Sequence, residues 1–161
     1  MNILAVAIGM EVDLEKYYLK QAEINKDNSL HKIFTMLASD EREHANVLRS
    51  KSEELNYDLK TSETLVESKK VFKEMKDFDL ETKELPSQLD SLRMALDMEQ
   101  TSIDAYEKLL AETEDEKAKV LFEFLIGQEK DHFKIIEQLV IYLTRPEEWV
   151  EDAEFGIRED Y

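Results

Sequence analysis

The sequence predicts an all-α protein: a four-helix bundle in which one long crossover connection joins two helical hairpins. Three glycines and two prolines among 161 residues favour long helices with few turns and disfavour a sheet-based fold. Apolar residues recur at helical spacing in four segments, and two of the intervening polar stretches have the length of a tight turn. A chain of this length is expected to form one domain.

The first hairpin is predicted from two segments that flank the polar turn Asn25–Ser29. One helix is expected from about Asn2 to Asn25 and the next from about Ser29 to Tyr57, with Leu55 ending its apolar stripe. The Asn, Asp and Ser residues of the turn have side chains that commonly cap helices.

A long connection, residues 58–85, precedes the second hairpin. The patterning of Glu63–Lys76 predicts a short helix within this connection. Pro86 suits the first turn of a third helix, which is expected to run to about Glu112. A capping box then predicts a turn and a fourth helix from about Asp115 to Leu143.

The bundle is expected to occupy residues 1–145, followed by an acidic tail, residues 146–161. Pro146 can start a short helix in this tail. The aromatic side chains of the tail are expected to pack either on the bundle or on a second subunit; they are Trp149, Phe155 and Tyr161.

Composition excludes several classes of function. The chain has no cysteine, which excludes a disulfide framework, a Cys-ligated zinc or iron–sulfur site and a thiol nucleophile. The net charge of −17 disfavours nucleic acid as a partner, because no basic patch is available to displace counterions. The same charge disfavours docking on anionic lipid.

The apolar opening, Met1–Met10, lacks the basic start and the small-residue cleavage site of a signal peptide. It leads directly into Glu11 and a charged helix. No segment of the sequence is long and apolar enough to span a bilayer. We therefore expect a cytoplasmic protein.

Two Glu-x-x-His motifs carry most of the chemical information. One is Glu41–His44 and the other, 88 positions later, is Glu129–His132. Each motif is preceded, at the same interval, by a glutamate on the other helix of its hairpin. The midpoint of each glutamate pair falls in a hairpin turn, so both members are expected at one height, with the histidine one turn along. The six residues are Glu11, Glu41, His44, Glu99, Glu129 and His132.

All four glutamates interrupt apolar stripes that should face the core. Burying an unpaired carboxylate costs several kcal/mol, and four together cannot all remain ionised. Two divalent cations would balance the four carboxylates, and carboxylate with imidazole suits iron, manganese or zinc. The six residues are therefore expected to be the ligands of a site for two metal ions, with Fe, Mn and Zn as the candidates. No other catalytic side chain and no organic cofactor are expected.

Several neighbours of this set leave alternatives open. Glu15 lies one turn after Glu11 and is its rival as a ligand, although the 88-position correspondence favours Glu11. His31 has no glutamate three residues before it and is expected on the surface. Asp40 and Gln128 each precede a ligand histidine by four residues and can orient its free ring nitrogen.

Tyr18 and Tyr106 lie two turns beyond Glu11 and Glu99 on the same helix faces. They are expected either to hydrogen-bond ligand carboxylates or to be ordinary core tyrosines.

At these residues the sequence resembles the rubrerythrins of the ferritin-like di-iron carboxylate superfamily, over about residues 1–145. The resemblance implies that Glu41 and Glu129 bridge two metals. It also implies that the first glutamate of each hairpin is a terminal ligand and that each histidine binds one metal.

Rubrerythrins are implicated in reducing hydrogen peroxide with electrons from a Cys-ligated rubredoxin iron. This chain has no cysteine, so the resemblance implies a separate electron donor such as a rubredoxin. Rubrerythrins also carry another ligand glutamate one turn after the third-helix glutamate. This chain has Ser102 there and Leu14 at the counterpart position, so the shifting iron ligation linked to that residue does not carry over.

The leading hypothesis is a di-iron redox protein that reduces hydrogen peroxide or oxygen, a rubrerythrin-type peroxidase that acts in oxidative stress. A ferritin-like iron-storage protein or ferroxidase is the second, and a di-iron hydroxylase or oxidase is the third. The expected partners are the small oxidant, the separate electron donor and a second copy of the chain in a homodimer.

Overall fold

Two antiparallel helical hairpins make up the bundle. The structure, a computed structural model, describes residues 3–75 and 85–155, with side chains up to residue 144. Within these ranges the chain forms five helices: α1 (Ile3–Ile24), α2 (Leu30–Ser52), α3 (Thr64–Glu74), α4 (Leu85–Glu112) and α5 (Glu116–Phe155). Helix α1 pairs with α2, α4 pairs with α5, and α3 in the crossover contacts both α2 and α5. The all-α bundle with one long crossover is therefore confirmed.

Apolar side chains fill the bundle in two clusters with a polar layer between them. One cluster contains Leu14 of α1 and Ala38 of α2, and the other contains Ala7 of α1 and Leu48 of α2. Because Glu11 lies between Ala7 and Leu14 in sequence, it enters the bundle between the two clusters. Each of the other three helices of the hairpins also places a buried glutamate between the two clusters. None of the helices in the described ranges is long and apolar enough to cross a membrane.

The two hairpins repeat each other in detail at the 88-position offset. The Tyr18 and Phe34 rings stack with centroids 6.1 Å apart and planes 24° apart. Their counterparts, Tyr106 and Phe122, stack at 6.0 Å and 30°. Stacked aromatic pairs with matching geometry in both hairpins indicate a pseudo-two-fold arrangement of the bundle.

Helix α2 ends earlier than the sequence predicts, at Ser52 rather than near Tyr57. The Leu55 amide donates to the Ser50 carbonyl at 2.8 Å, and the Glu54 amide donates to the Lys51 carbonyl at 3.1 Å. This pattern is a Schellman motif, which requires a left-handed residue, and Glu54 supplies it with φ at 58°. Leu55 therefore leaves the helix and is 56% exposed, so its predicted place in the apolar stripe is wrong.

Replacing Glu54 with glycine is expected to raise the free energy of unfolding by about 0.5–1 kcal/mol, because only glycine adopts this backbone conformation without steric cost. Glu53→Gly is the matched control, since Glu53 has φ at −93° and gains nothing from glycine. Urea denaturation of both variants measures the effect. An equal or larger rise for Glu53→Gly, or a fall for Glu54→Gly, would contradict it.

The fourth predicted helix continues beyond Leu143 as α5 and reaches Phe155, so Pro146 lies inside a helix. Proline removes one backbone donor from a helix but does not always end it. Two residues earlier, the Thr144 hydroxyl donates to the Val140 carbonyl at 2.9 Å. The tail aromatics Trp149, Phe155 and Tyr161, for which packing was predicted, lie outside the described side chains.

Candidate metal centre

Six polar side chains from α1, α2, α4 and α5 meet in the layer between the apolar clusters. The four glutamates are fully buried, and the two histidines are no more than 4% exposed. The sequence placed these residues on the inner faces of four helices, and the structure brings all six together. They are Glu11, Glu41, His44, Glu99, Glu129 and His132.

The six residues form two overlapping groups of four. In one group, ligand atoms of Glu11 and His44 converge with those of Glu41 and Glu129. In the other, ligand atoms of Glu99 and His132 converge with those of the same Glu41 and Glu129. Within each group the atoms lie within 4.8 Å of one another. This arrangement can hold two cations that share the two central carboxylates.

Each histidine contacts carboxylates from both hairpins through Nδ1. His44 Nδ1 lies 3.1 Å from Glu11 Oε2 and 2.9 Å from Glu129 Oε1. His132 Nδ1 lies 2.6 Å from Glu41 Oε1 and 3.6 Å from an oxygen of Glu99. The two imidazole rings stack with centroids 5.8 Å apart. Both rings therefore direct the same nitrogen into the carboxylate layer.

Most of these ligand atoms lack a hydrogen-bond partner. Both oxygens of Glu41, both oxygens of Glu129, Glu99 Oε2 and His132 Nδ1 are buried and unpartnered. The contacts of His132 Nδ1 with Glu41 and of His44 Nδ1 with Glu129 are short, yet neither has the alignment of a hydrogen bond. Unpartnered buried polar atoms are rare and costly in proteins. Their convergence, and their carboxylate and imidazole chemistry, fit two divalent cations.

The pKa values in the layer also indicate that its carboxylates have too little positive charge around them. Burial, followed by the charges of Glu11 and Glu99, raises the pKa of Glu41 to about 8. Burial and the neighbouring carboxylates raise the pKa of Glu129 well above its usual range. Burial would lower the pKa of His44, but the charge of Glu11 and the hydrogen bond to that carboxylate raise it well above its usual range. Without metal, the layer therefore retains protons, which partly neutralise the carboxylates.

Two tyrosines connect the hairpins at this layer. The Tyr106 hydroxyl donates to Glu11 Oε1 at 2.7 Å, and the Tyr18 hydroxyl donates to Glu99 Oε1 at 3.1 Å. Both rings are also fully buried in the apolar clusters. Each tyrosine therefore serves both purposes that the sequence left open, and each binds the glutamate of the opposite hairpin.

Replacing Tyr106 with phenylalanine is expected to lower the stability of the metal-free protein by about 1.5–3 kcal/mol, because a buried charged acceptor loses its donor. Tyr17→Phe is the matched control. The Tyr17 hydroxyl donates at 2.6 Å to a neutral acceptor, the Ser91 carbonyl, at a half-buried position, so its loss should cost about 1 kcal/mol. Chemical denaturation with a chelator present measures both, and an equal or larger loss for Tyr17→Phe would contradict the assignment.

The structure separates the remaining candidates from the layer. Glu15, the rival of Glu11, lies outside the cluster and accepts a hydrogen bond from Arg42 Nε at 2.7 Å. His31 is exposed, as expected, and its Nδ1 lies 2.8 Å from the Ala22 carbonyl.

Asp40 does orient a histidine, but not the one in its own helix. His132 Nε2 of the opposite hairpin lies 2.8 Å from Asp40 Oδ2. Burial would raise the pKa of Asp40, but the hydrogen bond and charge of His132 lower it overall, so the carboxylate accepts and His132 donates. The i to i+4 spacing from Asp40 to His44 suggested a partner within one helix. The true partner depends on how the hairpins pack, which no sequence spacing reveals.

A cavity of about 450 Å³ opens from the surface to this end of the site. Its lining includes Asp40, His44, Phe124 and Gln128, together with other residues of α2 and residues 56–58 and 60–62 of the connection. The lining is rich in hydroxyl, amide and carboxylate groups. The cavity therefore gives small polar molecules access to the imidazole edge of the site.

Comparison of the sequence with models of protein families identifies the family of this chain. A family model described as rubrerythrin matches residues 2–140, a range that contains all six buried residues. The chain belongs to the rubrerythrin family. No curated protein and no solved structure matches it. In this rubrerythrin, Ser102 is buried one turn after Glu99, so a hydroxyl occupies the place at which the family resemblance implied a further carboxylate.

Proposed function

We propose that this rubrerythrin is a di-iron redox protein that reduces hydrogen peroxide or oxygen. In this proposal Glu41 and Glu129 would help to hold both iron ions, because they belong to both groups of converging atoms. Glu11 and His44 would complete one metal position. Glu99 and His132 would complete the other. The overlap of two groups at two unpartnered carboxylates is the observation that carries the proposal.

When bound, two ferrous ions would supply the two electrons that convert hydrogen peroxide and two protons into two water molecules. The chain's own residues hold the metals and limit what reaches them. Apolar clusters above and below the carboxylate layer exclude bulk water from the site. Tyr18 and Tyr106 fix the two outer carboxylates through their hydroxyl groups.

The cavity beside His44 contains hydroxyl, amide and carboxylate groups that can hydrogen-bond a small oxidant. A separate electron donor such as a rubredoxin, a homodimeric assembly and a cytoplasmic location remain predictions from the sequence.

The test is metal analysis followed by anaerobic mixing of the ferrous protein with peroxide. We expect two iron ions per chain and a rapid absorbance change as the iron is oxidised. Fewer than two metals per chain after reconstitution, or no reaction with peroxide, would contradict the proposal.

The ferritin-like alternative, iron storage or ferroxidase activity, predicts a different particle. Storage requires a closed shell that encloses a mineral, so light scattering would detect a large assembly. A monomer or dimer by light scattering excludes storage and leaves the redox proposal in place.

A further inference from the structure

The two halves of the site are not chemically equivalent, although they are related by the pseudo-two-fold arrangement. His132 Nε2 donates to Asp40 Oδ2 at 2.8 Å, and the Ser62 hydroxyl reaches the same oxygen at 2.8 Å. The Asp40 side chain is only 14% exposed. Asp40 is therefore held in place by the crossover connection on one side and by the opposite hairpin on the other.

The counterpart of Asp40, 88 positions later, is Gln128. This residue is 6% exposed and lines the same cavity as His44, but no hydrogen bond from its side-chain amide occurs among the described residues. An amide carries no net charge. Among the described residues, no carboxylate therefore pairs with His44 Nε2 as Asp40 pairs with His132 Nε2.

The two halves also differ in which of their metal-binding atoms already take part in a hydrogen bond. Both oxygens of Glu11 already accept hydrogen bonds, one from Tyr106 and one from His44. In the other half, Glu99 Oε2 and His132 Nδ1 are both unpartnered. At these two atoms no aligned hydrogen bond has to be broken before a metal binds, although His132 Nδ1 lies 2.6 Å from Glu41 Oε1.

A carboxylate that accepts the outer N–H of an imidazole fixes the tautomer and the ring orientation, and it makes the inner nitrogen a better metal donor. With Asp40 on Nε2, the His132 Nδ1 atom is the one left to bind metal. We propose that the two metal positions are unequal and that the position formed by Glu99 and His132 with the bridging carboxylates fills first, with Asp40 as its positioning residue. This inference rests on the proposed two-metal site.

Occupation of this position would join the hairpins before the second ion arrives. Asp40 and Glu41 belong to α2, whereas Glu99 and His132 belong to α4 and α5. The first ion would therefore link one hairpin to the other, and the second would bind to a site that is already assembled.

The test is titration of the metal-free protein with Co²⁺, followed by absorbance and by competition with a chelator. We expect two ions per chain with dissociation constants at least tenfold apart. Asp40→Asn should weaken the tighter step by roughly 10–100-fold and leave the weaker step within about threefold. Gln128→Asn is the matched control and should change neither step appreciably.

A second readout separates positioning from general stability. With one equivalent of Co²⁺, the proton NMR spectrum should contain one shifted, slowly exchanging ring N–H signal, that of His132 held by Asp40. This signal should broaden in Asp40→Asn and, to a smaller extent, in Ser62→Ala, which keeps the carboxylate but removes its hydroxyl donor.

Each contrary outcome points to a different error. Fewer than two ions per chain would contradict the two-metal proposal itself. Two ions with equal affinity, or equal weakening of both steps by Asp40→Asn, would overturn the inequality and leave the two-metal site intact. An anomalous-scattering peak beside His44 in a crystal with one equivalent of Co²⁺ would overturn the stated order of filling.

Discussion

Replacing Glu41 with glutamine will remove most metal binding and will stabilise the metal-free protein. Glu41 belongs to both groups of converging atoms, so one neutral amide weakens both metal positions. We expect the affinity for both ions to fall by about 100-fold or more, because the substitution removes an anionic metal ligand. Loss of a residue that only hydrogen-bonds a ligand typically costs roughly 10–100-fold, and loss of the ligand itself should cost more. Peroxide-driven oxidation of the ferrous protein should fall below detection.

The metal-free protein should gain stability from the same substitution, because burial and neighbouring carboxylates disfavour the ionised form of Glu41. A neutral amide avoids that repulsion at pH values near 8 and above. Chemical denaturation in the presence of a chelator measures this gain, and Co²⁺ titration measures the loss of binding.

Glu15→Gln is the matched control for this experiment. Glu15 lies one turn from Glu11, is half-buried, and pairs with Arg42 outside the cluster. Both ions should bind this variant normally. If Glu41→Gln bound two ions like the parent, or if Glu15→Gln lost them, the assignment of the shared carboxylates would be wrong.

The metal-free and metal-loaded proteins will respond to pH in opposite directions. The pKa of Glu41 rises from 4.5 when unfolded to about 8 when folded. Between these values the folded chain keeps a proton that the unfolded chain releases, so stability from this group is complete below pH 4.5 and is lost as pH rises through about 8. Glu129, His44 and His132 have raised pKa values and contribute with the same sign.

Two carboxyl groups contribute with the opposite sign. The pKa values of Glu11 and Asp40 are lowered, because His44 and His132 respectively outweigh the effect of burial. Their stabilisation is present above the ordinary values of 4.5 and 3.8 and is lost only as pH falls below these. Between pH 5 and 8 the raised groups therefore dominate, and the metal-free protein should lose stability throughout.

Metal reverses this trend because cations bind the deprotonated ligands and displace the retained protons. Each ion at a free concentration of 100 times its dissociation constant adds about 2.7 kcal/mol, so two independent ions add about 5 kcal/mol. Urea denaturation at pH 5.5, 6.5 and 7.5, with chelator and with Co²⁺, measures both trends. A metal-free protein whose stability rises over this range would contradict the proposed state of the carboxylate layer.

Sequence patterns predicted the helices well where periodicity and turn chemistry agreed. The helices α1 and α4 begin and end close to their predicted bounds, and the short crossover helix was found. The predicted helix ends were wrong where a local feature of the backbone and the apolar periodicity gave different answers. The Schellman motif at Glu54 ended α2 early, although Leu55 continued the apolar pattern. At Pro146 the proline suggested a new start, yet α5 continues.

The sequence alone determined which six residues would meet, because helical period and hairpin symmetry place them at one height on inner faces. It could not determine the partners of these residues across the bundle, since those depend on how one hairpin packs on the other. Only the tertiary structure shows that Asp40 reaches His132 rather than His44, and that each tyrosine binds the opposite hairpin's glutamate. Spacing along a helix defines a face, whereas a hydrogen bond between helices depends on their relative position, which only the packed bundle provides.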